Sequence, residues 1–249
     1  MENYNPFSLS GKTILVTGAS SGIGRAIAVE CSRMGATVIL TARNAERLEK
    51  TLSMLEGTGH AVVAADLTEE NDRKHLIESL PVLDGVVQNA GVFNTVLTKN
   101  IQQKDLDYVL PPNLYAPILL QKELVKHKLL AKGSSVVFMS SIASLRPFIG
   151  NAVYTISKAG ITGYAKVLAL ELAPKNIRVN CICPGIVRTD LTENSVFSTE
   201  EYKAEEMKYP LKRYGKPEEI AYMAVYLLSD ASAWVTGTAM EVSGGINLI

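Results

Sequence analysis

The chain has 249 residues, 47% of them hydrophobic and 20% charged, with 18 Gly and 10 Pro. That length lies near the ceiling for one hydrophobic core, and the composition excludes a disordered or collagen-like chain. Twenty-five Lys+Arg against 25 Asp+Glu give a formal net charge of zero, which argues against a broad electrostatic grip on nucleic acid or anionic membrane.

The three cysteines are too few for a disulfide framework and lack the spacing of a zinc site, so no metal is expected. Cys181 and Cys183 fall on one side of an apparent strand and read as buried packing. No apolar run approaches the ~20 residues of a membrane helix, and residues 1–12 lack the charged-then-apolar pattern of a signal peptide. A soluble protein of a reducing compartment, cytoplasmic and without membrane contact, is the expectation.

Strand-like runs alternate with helical-period segments. Thr13–Thr17 is a β-branched run between Gly11 and Gly18 and reads as a buried strand. Ile23, Ala26, Ile27, Cys31 and Met34 recur at helical spacing up to a stop at Gly35. Residues 36–41 predict a second strand, and Asn44 can cap a helix carrying Leu48, Leu52 and Leu55. Residues 60–65 predict a third strand, followed by a capped first turn at Thr68, Glu69 and Glu70. Further strands are predicted at 82–88 and 135–140, with a long helical region between them. A helix over 152–172, a strand over 177–182, a helix over 217–228 with Pro at its first position, and a strand over 238–242 complete the series. Alternation of this kind implies a single α/β domain over 1–249, a doubly wound parallel sheet with helices on both faces. Ligands of such sheets bind beyond the carboxyl ends of the strands.

The first strand runs into Thr17, Gly18, Ala19, Ser20, Ser21, Gly22, Ile23 and Gly24. This spacing matches neither GxGxxG nor a Walker motif. Glycine still permits positive φ and close backbone approach, and the following helix points its first N–H groups at a pyrophosphate. The bland alternative is a tight strand-to-helix turn without a ligand.

The TGxxxGxG turn, Asn89-Ala90-Gly91, Ser141, Tyr154 with Lys158, and Pro184-Gly185 occur in this order from about residue 10 to Ser243-Gly244-Gly245. Together they resemble the short-chain dehydrogenase/reductase family, in the general look of its 3-oxoacyl-[acyl-carrier-protein] reductase and glucose-dehydrogenase-like branches. The resemblance implies a Rossmann-like fold and hydride transfer between a nicotinamide cofactor and a carbonyl carbon. Tyr154 and Lys158, four apart on a predicted helix, share one face. The resemblance makes Tyr154 the proton donor or acceptor, and Lys158 the residue that holds the ribose and lowers the phenol pKa. Ser141, thirteen residues before Tyr154, would hold the substrate oxygen, with Ser140 as its supporting neighbour. Asn113 stands where the family's fourth catalytic residue belongs, anchoring a water in a relay from Lys158. Pro111 and Pro112 directly before it predict a kink or restart that can displace it. Ser141 has no neighbouring His or acid, which disfavours a hydrolase.

For the cofactor, the resemblance implies contacts from Gly18, Ser20, Ser21, Gly22, Ile23 and Gly24, then Asp66 and Leu67 at the adenine. It implies Asn89, Ala90 and Gly91 beside the ribose, together with Tyr154 and Lys158, and Pro184, Gly185, Val187 and Thr189 at the nicotinamide carboxamide. Gln88 replaces an Asn frequent before this segment. The second strand ends in Arg43 with no acid beside it, nineteen residues past Gly24. Arg there accommodates a 2′-phosphate, so NADP(H) is expected, with NAD(H) kept as the alternative. Ser21, where many NADP-dependent relatives carry a second basic residue, weighs against this.

The expected function is NADP(H)-dependent reduction of a ketone or 3-oxoacyl carbonyl to a secondary alcohol, or the reverse. The alternative is a non-catalytic NAD(P)-binding regulatory protein; a sugar-nucleotide epimerase is disfavoured by length and glycine pattern. The partner is a small carbonyl or alcohol substrate, not nucleic acid. Its binding falls largely to a loop over 190–214 containing Phe197, Tyr202, Met207 and Tyr209, with Arg146 and Phe148 also able to face the pocket. Apolar residues on several faces of the 152–172 helix (Ile161, Ala165, Val167, Leu168, Ala169 and Leu170) predict a homotetramer. His60, His75 and His127 are expected in solvent.

Overall fold

The computed structural model describes residues 4–189 and 199–248. Its strands are β1 (Thr13–Thr17), β2 (Thr37–Ala42), β3 (Ala61–Ala64), β4 (Leu83–Gln88), β5 (Leu130–Met139), β6 (Arg178–Pro184) and β7 (Ala239–Val242). They form one seven-stranded sheet in the order β3-β2-β1-β4-β5-β6-β7, parallel throughout. The helices are α1 (Gly22–Arg33), α2 (Ala45–Leu52), α3 (Glu70–Ser79), α4 (Gln103–Leu110), α5 (Ala116–Lys126), α6 (Ala152–Leu172), α7 (Thr199–Glu206) and α8 (Pro217–Leu228).

Side chains alternate across the sheet and feed two cores. Ile14, Val16, Val137 and Ile182 join Ile27 and Cys31 of α1, Leu48 of α2, and Ile220, Ala224 and Leu228 of α8. Leu15, Val136, Phe138 and Cys181 join Leu76 of α3, Leu120 and Leu124 of α5, and Ile161, Leu168 and Leu172 of α6 on the opposite face. This is the Rossmann-like three-layer arrangement expected of strands that read as continuous apolar runs. Burying each such aliphatic side chain stabilises the fold by roughly 1.5–3 kcal/mol before entropy is counted.

Several local expectations need correction. The strand expected at 135–140 begins at Leu130, because Lys132 and Gly133 are exposed positions that break the apolar pattern. Glu69, not Thr68, precedes α3, and it makes no side-chain cap; the Thr68 hydroxyl instead donates to the Asp66 carboxylate at 2.7 Å. Asn44 does cap α2, accepting from the Arg47 amide at 2.8 Å. His75 and His127 are exposed, but His60 is half-buried. Its Nδ1 accepts from the Val38 amide at 3.0 Å, satisfying a β2 donor just before the ladder with β3 begins at Ile39. All three cysteines are buried and free, and burial pushes the Cys31 and Cys181 thiols up to about 12.

The two prolines neither break nor displace the helix they enter. Pro111–Tyr115 forms a π-helical turn that joins α4 to α5, with the Ala116 amide donating to the Pro111 carbonyl. The wider turn absorbs the missing donors, and such turns recur at functional sites.

Candidate active site

The glycine turn is built by contact between its own two ends. Gly18 has φ +66°, and a Cβ at Gly24 would lie 2.2 Å from the Gly18 carbonyl oxygen, a clash no side chain escapes. The chain then enters α1 behind Ser21, which makes no side-chain cap, and the first turn holds no acid. The opening amides of α1 are thus left without a side-chain acceptor, as anion binding at a helix start requires.

Neighbouring strands lock this turn. The amides of Asn89 and Ala90 donate to the Thr17 hydroxyl at 2.9 and 3.0 Å, and Asn89 Nδ2 donates to the Thr17 carbonyl at 3.2 Å. Behind the turn, Arg25 donates to the Ser20 carbonyl at 2.6 Å, and the Thr51 hydroxyl donates to the Ala19 carbonyl at 3.0 Å. Arg25 and Thr51 carry no mark in the sequence, and Thr17 is marked there only as the first residue of the turn motif. The partners of Thr17 and Thr51 lie on other elements, which no local spacing signals. A Cβ at Gly22 would lie 3.2 Å from Thr189 Cγ2, so the segment after β6 closes on the start of α1. Pro184 ends β6, the Gly185 amide donates to Val242 at 3.0 Å, and Val187 bridges Gly215. Ser20, Ser21 and Ile23 are half-buried around the turn.

Arg43 and Asp66 come together at the ends of β2 and β3. Burial pushes the Asp66 carboxyl up, but the Thr68 hydroxyl and amide and the nearby Arg43 charge outweigh it and hold the group below its usual range. Leu67 beside it is buried, and its carbonyl accepts from Arg73 at 2.8 Å. The glycine cradle, the uncapped helix start and the Arg43–Asp66 pair form a set of donors and charges that fits a dinucleotide.

Across the sheet, α6 carries Tyr154 and Lys158 one turn apart. Lys158 is buried and donates from Nζ to the Met139 carbonyl at 2.8 Å, with Nζ 5.7 Å from the Tyr154 ring centroid. Burial brings its pKa down to about 8. Burial raises the Tyr154 phenol above its usual value, and the nearby Ser141 hydroxyl offsets part of that rise. This corrects the expectation that Lys158 sets the phenol pKa: desolvation dominates here. Ser141 also accepts from the Ala143 amide at 3.1 Å, so it serves as a turn cap as well as a partner of Tyr154. Ser140 is buried beneath, bonded to Thr162 Oγ1 at 2.8 Å and the Lys158 carbonyl at 3.1 Å. Burial raises the Cys183 thiol, and the nearby Ser140 and Ser144 hydroxyls offset part of that rise.

Asn113 keeps its place despite the prolines. It is buried, its Oδ1 accepts from the Val92 amide at 2.7 Å, and its Nδ2 donates to the Val92 carbonyl at 2.9 Å. A Cβ at Gly91 would meet both Asn113 Oδ1 at 3.0 Å and Lys158 Nζ at 3.5 Å, so these three positions adjoin. Arg146 donates to the Ile246 carbonyl. Phe148 is partly exposed. Phe197 lies outside the described residues, as does the side chain of Tyr202. The described part of the 190–214 loop includes Tyr209, whose hydroxyl accepts from the Ile186 amide at 3.2 Å.

Comparison with known proteins agrees with this geometry. Residues 18–247 match the family model described as enoyl-(acyl carrier protein) reductase. The 3-oxoacyl-[acyl-carrier-protein] reductase of Rickettsia felis is 34% identical over 241 residues, covering 97% of this chain and 99% of that protein. The Aquifex aeolicus reductase of the same description is 34% identical over 245 residues, covering 96% and 98%. Among solved structures, one from Agrobacterium tumefaciens, described as a proposed 2-deoxy-d-gluconate 3-dehydrogenase with bound NADP, superposes with a TM-score of 0.88. It shares 34% identity and covers 99% of this chain and 100% of that one. The chain belongs to the short-chain dehydrogenase/reductase family. It is an NAD(P)-dependent oxidoreductase that acts on carbonyl groups. No helix among the described residues is long and apolar enough to cross a membrane.

Proposed function

We propose that the chain folds as one cofactor-binding domain and uses NADP(H) to reduce a ketone or 3-oxoacyl carbonyl to a secondary alcohol. The observation that carries this reading is the convergence of Tyr154 and buried Lys158, whose Nζ lies 5.7 Å from the phenol ring, with Asn113 adjoining Lys158 and Ser141 close enough to temper the phenol. When bound, the reduced nicotinamide supplies the hydride. Ser141 orients the carbonyl oxygen, and Tyr154 gives that oxygen its proton. A phenol held above its usual pKa is fully protonated at neutral pH, which suits the reductive direction. Lys158 holds the ribose, and Asn113 anchors the water that returns a proton towards Tyr154.

The cofactor is held by Gly18 to Gly24 at the phosphates and by Asp66 and Leu67 at the adenine. Asn89 to Gly91 line the ribose, and Pro184, Gly185, Val187 and Thr189 take the carboxamide. Arg43, beside Asp66, takes the 2′-phosphate; the relative with bound NADP supports that choice. The relatives are named as reductases and dehydrogenases, which favours the enzyme over a non-catalytic binder. We place the protein in the cytoplasm.

Assembly follows from α6. Ile156, Val167 and Leu170 are exposed along one stripe with Gly163, above which a Cβ would meet nothing within 4 Å. Tyr108, Tyr115 and Leu119 add exposed apolar area on α4, the π turn and α5. Packing these faces against their copies gives a homotetramer. NADPH consumption against ketones, 3-oxoacyl thioesters, sugars and steroids tests the reaction, and light scattering tests the assembly. At least one ketone or thioester should consume NADPH in a tetrameric preparation. Silence across the panel overturns the first reading, and a stable monomer overturns the second.

A further inference from the structure

Phe93 is the residue that stands directly on the catalytic tyrosine. Its ring meets the Tyr154 ring edge to face, with centroids 5.0 Å apart at 78°. It is 46% exposed, so Tyr154 covers one side and the rest of the ring is open. The segment that carries it is fixed at three points. Val92 is held through both backbone groups by Asn113. Asn94 Nδ2 donates to Asp105 at 2.9 Å, and the Val96 amide donates to the Gly150 carbonyl at 2.6 Å. The last bond clasps the Phe93 segment to the stretch between Ser141 and Tyr154.

The chemistry of these two stretches is one-sided. Over residues 89–97 and 142–153, Arg146 is the only ionisable side chain, and its guanidinium is engaged with the Ile246 carbonyl. The polar side chains there are largely turned inward. Asn89 holds Thr17 and Gly18, Asn94 holds Asp105, Ser144 donates to the Ser141 carbonyl, and Asn151 accepts from the Phe148 amide. What faces outward is mainly apolar: Phe93, Leu145, Phe148 and Ile149 are all exposed, with Thr95 the exposed polar residue among them. Within these two described stretches a substrate hydroxyl placed against Phe93 meets chiefly apolar surface, and an unpaired polar group costs far more discrimination than a missing methylene.

We propose that Phe93 is a specificity-determining residue for the reduction proposed above. It receives an apolar aryl or alkyl substituent next to the carbonyl carbon and disfavours polyhydroxylated ketones and sugar acids. The inference rests on the reductase reading of Tyr154 and Ser141, and it separates this chain from relatives named for gluconate chemistry.

The test uses the full chain and two probes of similar size, an aryl methyl ketone and a polyhydroxylated ketone. Steady-state NADPH kinetics are measured for wild type, Phe93→Ala and Phe93→Leu, and so is the binding of each ketone to protein saturated with NADP+. Wild type should prefer the aryl ketone. Phe93→Ala should cut that preference about tenfold, mainly through KM, with NADPH affinity and melting temperature unchanged. Phe93→Leu should recover most of the preference. A wild type that prefers the polyhydroxylated ketone, or a Phe93→Ala protein with an unchanged preference ratio, overturns the proposal. If no ketone is reduced by wild type, the reductase reading fails. The binding ratio then decides the role of Phe93 alone: a fall in Phe93→Ala upholds the apolar subsite, and an unchanged ratio rejects it.

Discussion

At the ends of β1, β2 and β3, the groups offered to a ligand are backbone amides and half-exposed or exposed side chains such as Ser20, Ser21 and Arg43. At the ends of β4, β5 and β6, the corresponding groups are side chains held by carbonyls and amides of other elements. Lys158 is tied to Met139, Asn113 to Val92, and Ser140 to Lys158 and Thr162. The first region pays for binding with conformational freedom, and glycine supplies it. The second sets protonation by desolvation, so a small change there alters chemistry before it alters affinity. Substitutions that leave the fold intact should therefore split cleanly between the two.

The largest effect is expected at Tyr154. Tyr154→Phe removes the proton donor and should lower kcat by roughly 10²–10⁴-fold, while the dissociation constant for NADPH stays nearly unchanged. Wild-type turnover in this variant would mean that the proton comes from elsewhere and the division between the regions is misplaced.

Lys158 sharpens the same contrast through stability. Its folded pKa of about 8 lies below the ordinary 10.5. Between these values the unfolded chain binds the proton that the folded chain has lost, so this residue's contribution to unfolding free energy rises with pH. Below pH 8 the native state bears the full cost of the buried ammonium, and above 10.5 it bears none. Relative to Lys158→Met, wild type should gain about 3 kcal/mol across that window. Denaturant titrations of both proteins at several pH values check this, and a difference that is flat with pH would contradict it.

Arg43 tests the open region. A charge-assisted contact with a 2′-phosphate should contribute about 1.5–3 kcal/mol. Arg43→Asp should lose roughly that much NADPH affinity and gain relative affinity for NADH, with turnover at saturating cofactor little changed. Equal affinities of wild type for both cofactors would show that Arg43 reads no phosphate. The smallest effect is expected at the neighbouring cap: Asn44→Ala should cost about 1 kcal/mol, lowering Tm by about 2–4 °C. Activity measured well below Tm should not move.

The strands and the long helices were legible because their apolar runs feed two cores and leave little ambiguity of period. The helix over Ala152–Leu172 begins and ends where the periodicity places it. The turn between Asp66 and Thr68 was misread because a hydroxyl two residues from a carboxylate can serve either that acid or the helix start. The fate of Pro111 and Pro112 was not legible either. A kink and a π turn remove the same donors, and which one forms depends on what Asn113 can reach. Motif spacing led to Asn113, Ser141, Tyr154 and Lys158, but it carried no sign of Phe93 against Tyr154 or Cys183 beneath Ser140. Those contacts join residues far apart in the chain and leave no periodic trace. The pKa balance at Tyr154 was misjudged for the same reason: the desolvation that governs it comes from packing, not from its neighbour on α6.

The lock between Thr17 and Asn89 spans 72 residues, and it has a consequence for how the polypeptide matures. β1 is made first yet sits between β2 and β4 in the sheet. A nascent chain that has not yet reached residue 89 lacks the donors that close onto the Thr17 hydroxyl and the Gly18 carbonyl. The glycine turn is therefore unfinished while β2 and β3 emerge, and it becomes complete when the fourth strand docks. From that moment the nucleotide cradle can exist on the ribosome, well before α6 brings Tyr154 and Lys158. A cofactor available during synthesis would meet only the adenosine and phosphate half of the proposed site before the residues proposed to hold its ribose and carboxamide have been made.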